Sequence, residues 1–154
     1  MANVIRLDKV KGYPVSFENS IENLEQGLFL ELKGLSNGDY EAYEVELAKA
    51  TPDNTVVFHA SVVMQYDERL MEQDFVLANG KVGRAFIPER GDIITVAESV
   101  VNGSVDVGDK LGCVGDGKLG ASGATKIARV ESKPPLIPIT ACLHQVCSKR
   151  FFKP

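Results

Sequence analysis

His59 and Ser61 stand two positions apart in the run Val56-Val57-Phe58-His59-Ala60-Ser61-Val62-Val63, and on an extended strand that spacing puts an imidazole and a hydroxyl on one face. A general base beside a serine hydroxyl is the first requirement of nucleophilic catalysis. The second is a frame that exposes the hydroxyl, and no Gly-x-Ser-x-Gly elbow surrounds Ser61. A histidine among β-branched residues reads instead as a strand histidine whose ring nitrogens are satisfied in the core. The acidic group Asp67, Glu68, Glu72 and Asp74 holds the raw material for paired carboxylates, but it reads as a solvated helical or loop face. These residues assemble no coherent reaction. No catalytic residue is assigned, and the chain is expected not to be an enzyme.

Two glycine motifs overlap further on. Gly112-Cys113-Val114-Gly115-Asp116-Gly117-Lys118 fits the first seven positions of a phosphate-cradling P-loop. The eighth position, which holds magnesium through a hydroxyl, is Leu119, and Gly120-Ala121-Ser122-Gly123 follows where a helix should open. Gly115-Asp116-Gly117-Lys118-Leu119-Gly120 spells the dinucleotide fingerprint, yet no strand–helix–strand unit surrounds it and no acidic residue follows about 20 positions later. Both nucleotide readings fail, and Asp116-Gly117 reads as a hairpin turn. Lys118 has the hairpin-tip position of a biotinyl or lipoyl carrier lysine without the flanking residues. No cofactor is expected.

Cys142, His144 and Cys147 lie close together, but on a strand Cys147 faces away from the other two. Cys113 is the remaining cysteine, so four cysteine and histidine ligands in a zinc spacing do not arise, and buried thiols are the expectation. Three cysteines also argue against a disulfide framework. No metal site is assigned.

The elements that would position these groups are strands. Alternation or β-branched enrichment marks residues 27–33, 43–48, 55–64, 92–101, 110–114, 126–131 and 139–146, with turn residues between them. Pro134, Pro135 and Pro138 mark an extended approach to the last. Helical windows are short: Asp67 to Asp74, and Phe17 to Gln26 with Asn19 or Ser20 as cap. The fold class is therefore mainly β, a β-barrel or β-sandwich with one or two short helices. Residues 1–154 are expected to form a single β-rich domain, with Asn102-Gly103 as a weak internal boundary.

The 154 residues carry a net charge of −4, divided as −8 over residues 1–75 and +4 over residues 76–154. Such polarity can steer neighbouring subunits together. The chain as a whole is acidic, which argues against nucleic acid. No segment reaches the roughly 18 apolar residues of a membrane span. No apolar stretch follows Arg6, Asp8, Lys9 and Lys11, so a secretory signal is not expected and folding in a reducing cytoplasm is.

A likeness runs through the middle of the chain. Its phrases are Leu28-Phe29-Leu30-Glu31-Leu32, Met64-Gln65-Tyr66-Asp67-Glu68-Arg69, Gly80-Lys81-Val82-Gly83-Arg84-Ala85-Phe86-Ile87-Pro88, Gly91-Asp92-Ile93-Ile94-Thr95-Val96 and Val107-Gly108-Asp109-Lys110. Over roughly residues 17 to 132 the chain resembles small head-associated structural proteins of tailed bacteriophages, which decorate or cement a capsid. The resemblance implies a virion protein made in the bacterial host cytoplasm. It would bind the major capsid protein in many copies, self-associate as a homo-oligomer and use no catalysis. A cellular β-barrel that binds a small ligand or peptide is the other reading. The C-terminal Lys149-Arg150-Phe151-Phe152-Lys153-Pro154 departs from the family pattern, and its two rings and basic side chains, Phe151, Phe152, Lys149 and Arg150, are the expected partner contacts.

Overall fold

A computed structural model describes residues 6–36, 41–63, 74–123, 126–130 and 136–141. In chain order the strands are β1 (Arg6–Lys9), β2 (Tyr13–Glu18), β3 (Leu24–Glu25), β4 (Phe29–Leu35), β5 (Ala42–Leu47), β6 (Val56–His59), β7 (Val76–Leu77), β8 (Val82–Ile87), β9 (Ile93–Ala97), β10 (Val101–Asn102), β11 (Lys110–Gly115), β12 (Lys118–Gly120), β13 (Lys126–Val130) and β14 (Leu136–Ala141). The protein is mainly β, and it contains a closed barrel.

Five strands close that barrel in the order β2-β5-β4-β6-β8, all pairs antiparallel except β2 with β5. Alternation decides what fills it. Val15 and Phe17 from β2, Leu30 and Leu32 from β4, Val45 from β5, Val57 from β6 and Ala85 from β8 share one interior cluster. The intervening residues of β4, β6 and β8 point outward, and there Phe29, Val56, Phe58 and Phe86 meet a second sheet. That sheet has the order β1-β9-β14-β13-β11-β12-β10 and contributes Ile94, Val96, Leu111, Cys113, Leu119 and Val130 to the joint core. Asn102-Gly103 lies where β10 leaves this sheet. Pro138 sits in β14 opposite Thr95 of β9, next to Ile139, which pairs with Val130 of β13.

Two features of the joint come from the overlapping glycine motifs. Asp116 and Gly117 have φ of 50° and 69° and turn β11 into β12 as a hairpin, so no helix opens there. The hairpin tip docks on the barrel: Phe29 N–H donates to the Gly117 carbonyl (2.8 Å) and Gly117 N–H to the Ala48 carbonyl (3.2 Å). A Cβ on Gly117 would stand 2.7 Å from the Phe29 carbonyl oxygen and 3.1 Å from Leu47 Cδ2. Gly117→Ala therefore combines a left-handed backbone with a clash against main chain. It should cost about 2–4 kcal/mol in denaturant unfolding, whereas a loss under about 0.5 kcal/mol would mean that the tip is not docked.

The expected helix over Phe17 to Gln26 is not formed. Phe17 and Glu18 complete β2, a turn with Asn23 at φ 54° follows, and Leu24–Glu25 is strand β3. Asn19 causes the turn: its Oδ1 accepts from Ile21 N–H (2.9 Å), while its Nδ2 donates to the Ile21 (2.8 Å), Leu77 (2.7 Å) and Ala78 (3.2 Å) carbonyls. An asparagine that completes an Asx turn competes with the helix that it would otherwise cap. The second helical window, apart from Asp74, lies outside the described residues.

Candidate functional site

Among the described residues, the His59–Ser61 pair is the constellation read from the sequence that the fold brings together. β6 pairs with β4 on one side and β8 on the other, so alternation turns His59 into the barrel, where it is 0% exposed. The Phe17 ring meets the imidazole edge-on at 5.4 Å. Ser61 Oγ lies 2.7 Å from His59 Nε2, His59 Nδ1 lies 2.8 Å from the Glu25 carbonyl oxygen, and Arg84 N–H donates to Ser61 Oγ at 3.0 Å. A carbonyl only accepts, so Nδ1 carries the ring hydrogen, Nε2 is bare and the serine hydroxyl donates to it. The hydrogens thus run in one direction from β8 through Ser61 and His59 to β3.

This is the connectivity of an activated serine with a backbone carbonyl orienting the base. The electrostatics oppose that use. Burial pushes the imidazole down from 6.5 to about 4, against a smaller upward pull from the Glu25 carbonyl, which makes His59 a weak base. Its only bare nitrogen is covered by Ser61, and a Cβ built on Gly83 would stand 2.9 Å from Ser61 Oγ. The geometry serves to tie three segments together.

Two buried carboxylates play similar parts, and sequence reading did not single out either. Asp92, 2% exposed, accepts from Lys11 N–H (2.8 Å), Gly12 N–H (3.0 Å) and Glu89 N–H (2.9 Å). It clamps both crossings between sheet and barrel, β1 to β2 and β8 to β9. Glu31, 0% exposed on the outward face of β4, accepts through Oε1 from Asp53 N–H (3.1 Å), Asn54 N–H (3.0 Å) and Asn54 Nδ2 (3.0 Å). Cys113 is buried as expected; desolvation, with the Glu31 charge as a lesser cause, pushes its thiol up to about 11 and leaves it a poor nucleophile.

A polar cleft of about 400 Å³ opens on the outer barrel face where β2, β5 and β4 run side by side. Glu18, Lys33, Ser36, Glu44, Glu46 and Asn79 line it. Glu18 and Glu44 are direct register partners, and Glu18 accepts from Ser36 Oγ at 2.5 Å. Lys33 meets Glu46 at 3.1 Å, which raises the ammonium and lowers the carboxyl from their ordinary values.

Among the described residues no group of three or more His, Cys, Asp or Glu is placed to hold a metal ion. Cys142, His144, Cys147, Asp67, Glu68 and Glu72 lie outside the described residues, as do the tail positions Lys149, Arg150, Phe151 and Phe152. Lys118 opens β12 directly after the turn and is exposed. Among the described residues no helix is long and apolar enough to cross a membrane. Compared with models of known families, with characterised proteins and with solved structures, the chain finds no match.

Proposed function

We propose that this chain is a structural protein of a tailed-phage particle that decorates or cements the capsid in many copies and carries out no catalysis. One observation carries the reading. Of the two most distinctive parts of the likeness, Tyr66-Asp67-Glu68-Arg69 lies outside the described residues, and the other, Arg84-Ala85-Phe86 through Gly91-Asp92-Ile93, is the segment that leaves the barrel as β8 and enters the sheet as β9, clamped at Asp92. Its residues therefore build the framework, with Phe86 and Ile94 in the joint core, and present no reacting group. A two-layer body whose buried polar groups hold strands together suits a protein that works through its outer surfaces.

The partner in this reading is the major capsid protein, with self-association alongside, and the virion surface is the destination. Cosedimentation with capsid shells of the phage that encodes the chain tests it. Saturable binding of many copies per shell is the expected result, and a protein that stays in the supernatant at saturating concentration would overturn it. Truncation after Ser148 tests the tail. If Phe151 and Phe152 dock on a neighbour, the shortened chain should melt within a few degrees of the full chain and lose shell binding or self-association. Loss of the cooperative melt would instead assign the rings to the chain's own core.

The polar cleft across β2, β5 and β4 favours the second reading, a cellular β-barrel that binds a small ligand or peptide. A chain that ignores capsid shells and shows ligand-induced NMR shifts at Lys33, Glu44 and Glu46 would replace the first reading with this one.

A further inference from the structure

Among the described residues, glycine directly follows an asparagine or aspartate at Asn79-Gly80, Asn102-Gly103 and Asp116-Gly117. A glycine has no Cβ to shield its main-chain nitrogen, so that nitrogen can reach back to the side-chain carbonyl carbon of the residue before it. The attack asks two things of the fold. The nitrogen must be free to give up its hydrogen, and the peptide plane must have room to swing.

The fold treats the three positions differently, although all three glycines are left-handed, with φ of 73°, 85° and 69°. Gly117 N–H donates to the Ala48 carbonyl (3.2 Å) at the docked hairpin tip, where a Cβ would meet the Phe29 carbonyl oxygen. Gly80 N–H donates to the Asn19 carbonyl (2.7 Å), and Asn19 is buried and bonded onward to the Leu77 and Ala78 carbonyls. Both of these nitrogens are occupied. Among the described residues no main-chain carbonyl accepts from Gly103 N–H. Asn102 and Gly103 are both exposed, and a Cβ built on Gly103 would have nothing within 4 Å. Asn102 also ends β10, the two-residue strand at the edge of the seven-stranded sheet, where it pairs in parallel with Gly120 of β12.

We propose that Asn102 is a self-modification site, at which the chain converts its own side-chain amide to aspartate and isoaspartate. Hydroxide takes the Gly103 proton, and the nitrogen bonds to Cγ of Asn102. The Cγ–Nδ2 bond breaks, Nδ2 takes a proton from water and leaves as ammonia, and a five-membered cyclic imide remains. Water then opens the ring. Opening at Cγ gives aspartate, and opening at the main-chain carbonyl gives isoaspartate, whose chain runs on through Cβ and Cγ. One water is consumed and one ammonia released. Either product adds a negative charge. Isoaspartate also lengthens the main chain by one carbon, which breaks the pairing of position 102 with Gly120 while Val100 and Val101 stay in the joint core. This chemistry is independent of whether the chain binds capsids.

The test is peptide mapping by mass spectrometry of the full chain held in mildly alkaline buffer, beside a sample unfolded in urea. In urea, Asn79 and Asn102 should convert at rates within about twofold of each other, because the unfolded chain holds neither in a fixed geometry. In the folded protein Asn102 should convert roughly tenfold or more faster than Asn79, whose glycine must first break a made hydrogen bond. Aspartate and isoaspartate should appear together at position 102. Equal folded rates, an Asn79 that converts first, or an Asn102 that stays intact while the unfolded chain reacts would each overturn the proposal. In the converted fraction the amide resonances of Leu119 and Gly120 should move, while those of Val45 and Val57 inside the barrel stay. Unmoved resonances at Leu119 and Gly120 would sink the loss of pairing. Asn102→Gln, which would have to close a larger ring, should leave Leu119 and Gly120 unshifted over the same incubation. Movement there in that variant would assign the change to another site.

Discussion

Phe58→Ala is expected to lower the unfolding free energy by about 3–5 kcal/mol, the range for removing a buried aromatic side chain. Phe58 is 0% exposed and sits at the one place where both layers of the molecule depend on it. Its ring lies 6.4 Å from Phe29 and 5.5 Å from Phe86, so strands β4, β6 and β8 contribute one aromatic each to the joint with the second sheet. Truncation loses the transfer energy of the ring and leaves a void between a closed barrel and a seven-stranded sheet. Neither layer can collapse far without breaking its own pairing. Val62→Ala, at 63% exposure, is the control and should fall within about 0.5 kcal/mol of wild type. A Phe58→Ala cost below about 1 kcal/mol would mean that barrel and sheet do not unfold as one unit.

The same strand shows how far the sequence could be read. Every residue of Val56–His59 is buried, because one face looks into the barrel and the other onto the sheet. A strand covered on both sides reads as a continuous apolar run, and 55–64 was legible for that reason. β5 alternates and was equally legible. β2 was not, although Val15 and Phe17 alternate into the barrel, because Asn19 and Ser20 resemble a helix cap and pulled residues 17–26 towards a helix. What the asparagine does instead depends on the Leu77 and Ala78 carbonyls, 58 and 59 positions away, which no local window contains.

The polar anchors were hidden for a related reason. Leu30-Glu31-Leu32 falls in the alternating end of the strand read over residues 27–33, and Glu31 does point out of the barrel. That outward face is covered, so the carboxylate is fully buried and held by the main chain of Asp53 and Asn54. A period of two states which residues share a face, but not what the face meets. His59 and Ser61 on one face were readable from spacing alone. Their other partners, Glu25 and Arg84, come from 34 and 23 positions away and turn a candidate dyad into a tether.

The buried imidazole also makes acid stability a strong test of the fold. In the unfolded chain His59 takes up a proton at its ordinary 6.5, whereas in the fold burial holds it to about 4. Above pH 6.5 both states are neutral and the group adds no pH dependence. Between pH 6.5 and 4 the unfolded state is protonated and the native state is not, so the unfolding free energy falls by about 1.4 kcal/mol per pH unit, roughly 3 kcal/mol in all. Glu46 acts in a separate window. Lys33 lowers its carboxyl, so its contribution is present above the ordinary value of 4.5 and disappears only as pH drops below that. Among the described residues the segment from pH 6.5 to 5 therefore belongs to His59, and its share of the loss in urea unfolding there should be about 2 kcal/mol. His59→Phe should be less stable at pH 7, since Ser61 and the Glu25 carbonyl each lose a bond to the ring, yet nearly flat over that segment. A wild-type midpoint that does not move between pH 7 and 5 would mean that the ring already reaches water at neutral pH, contrary to its place inside the barrel.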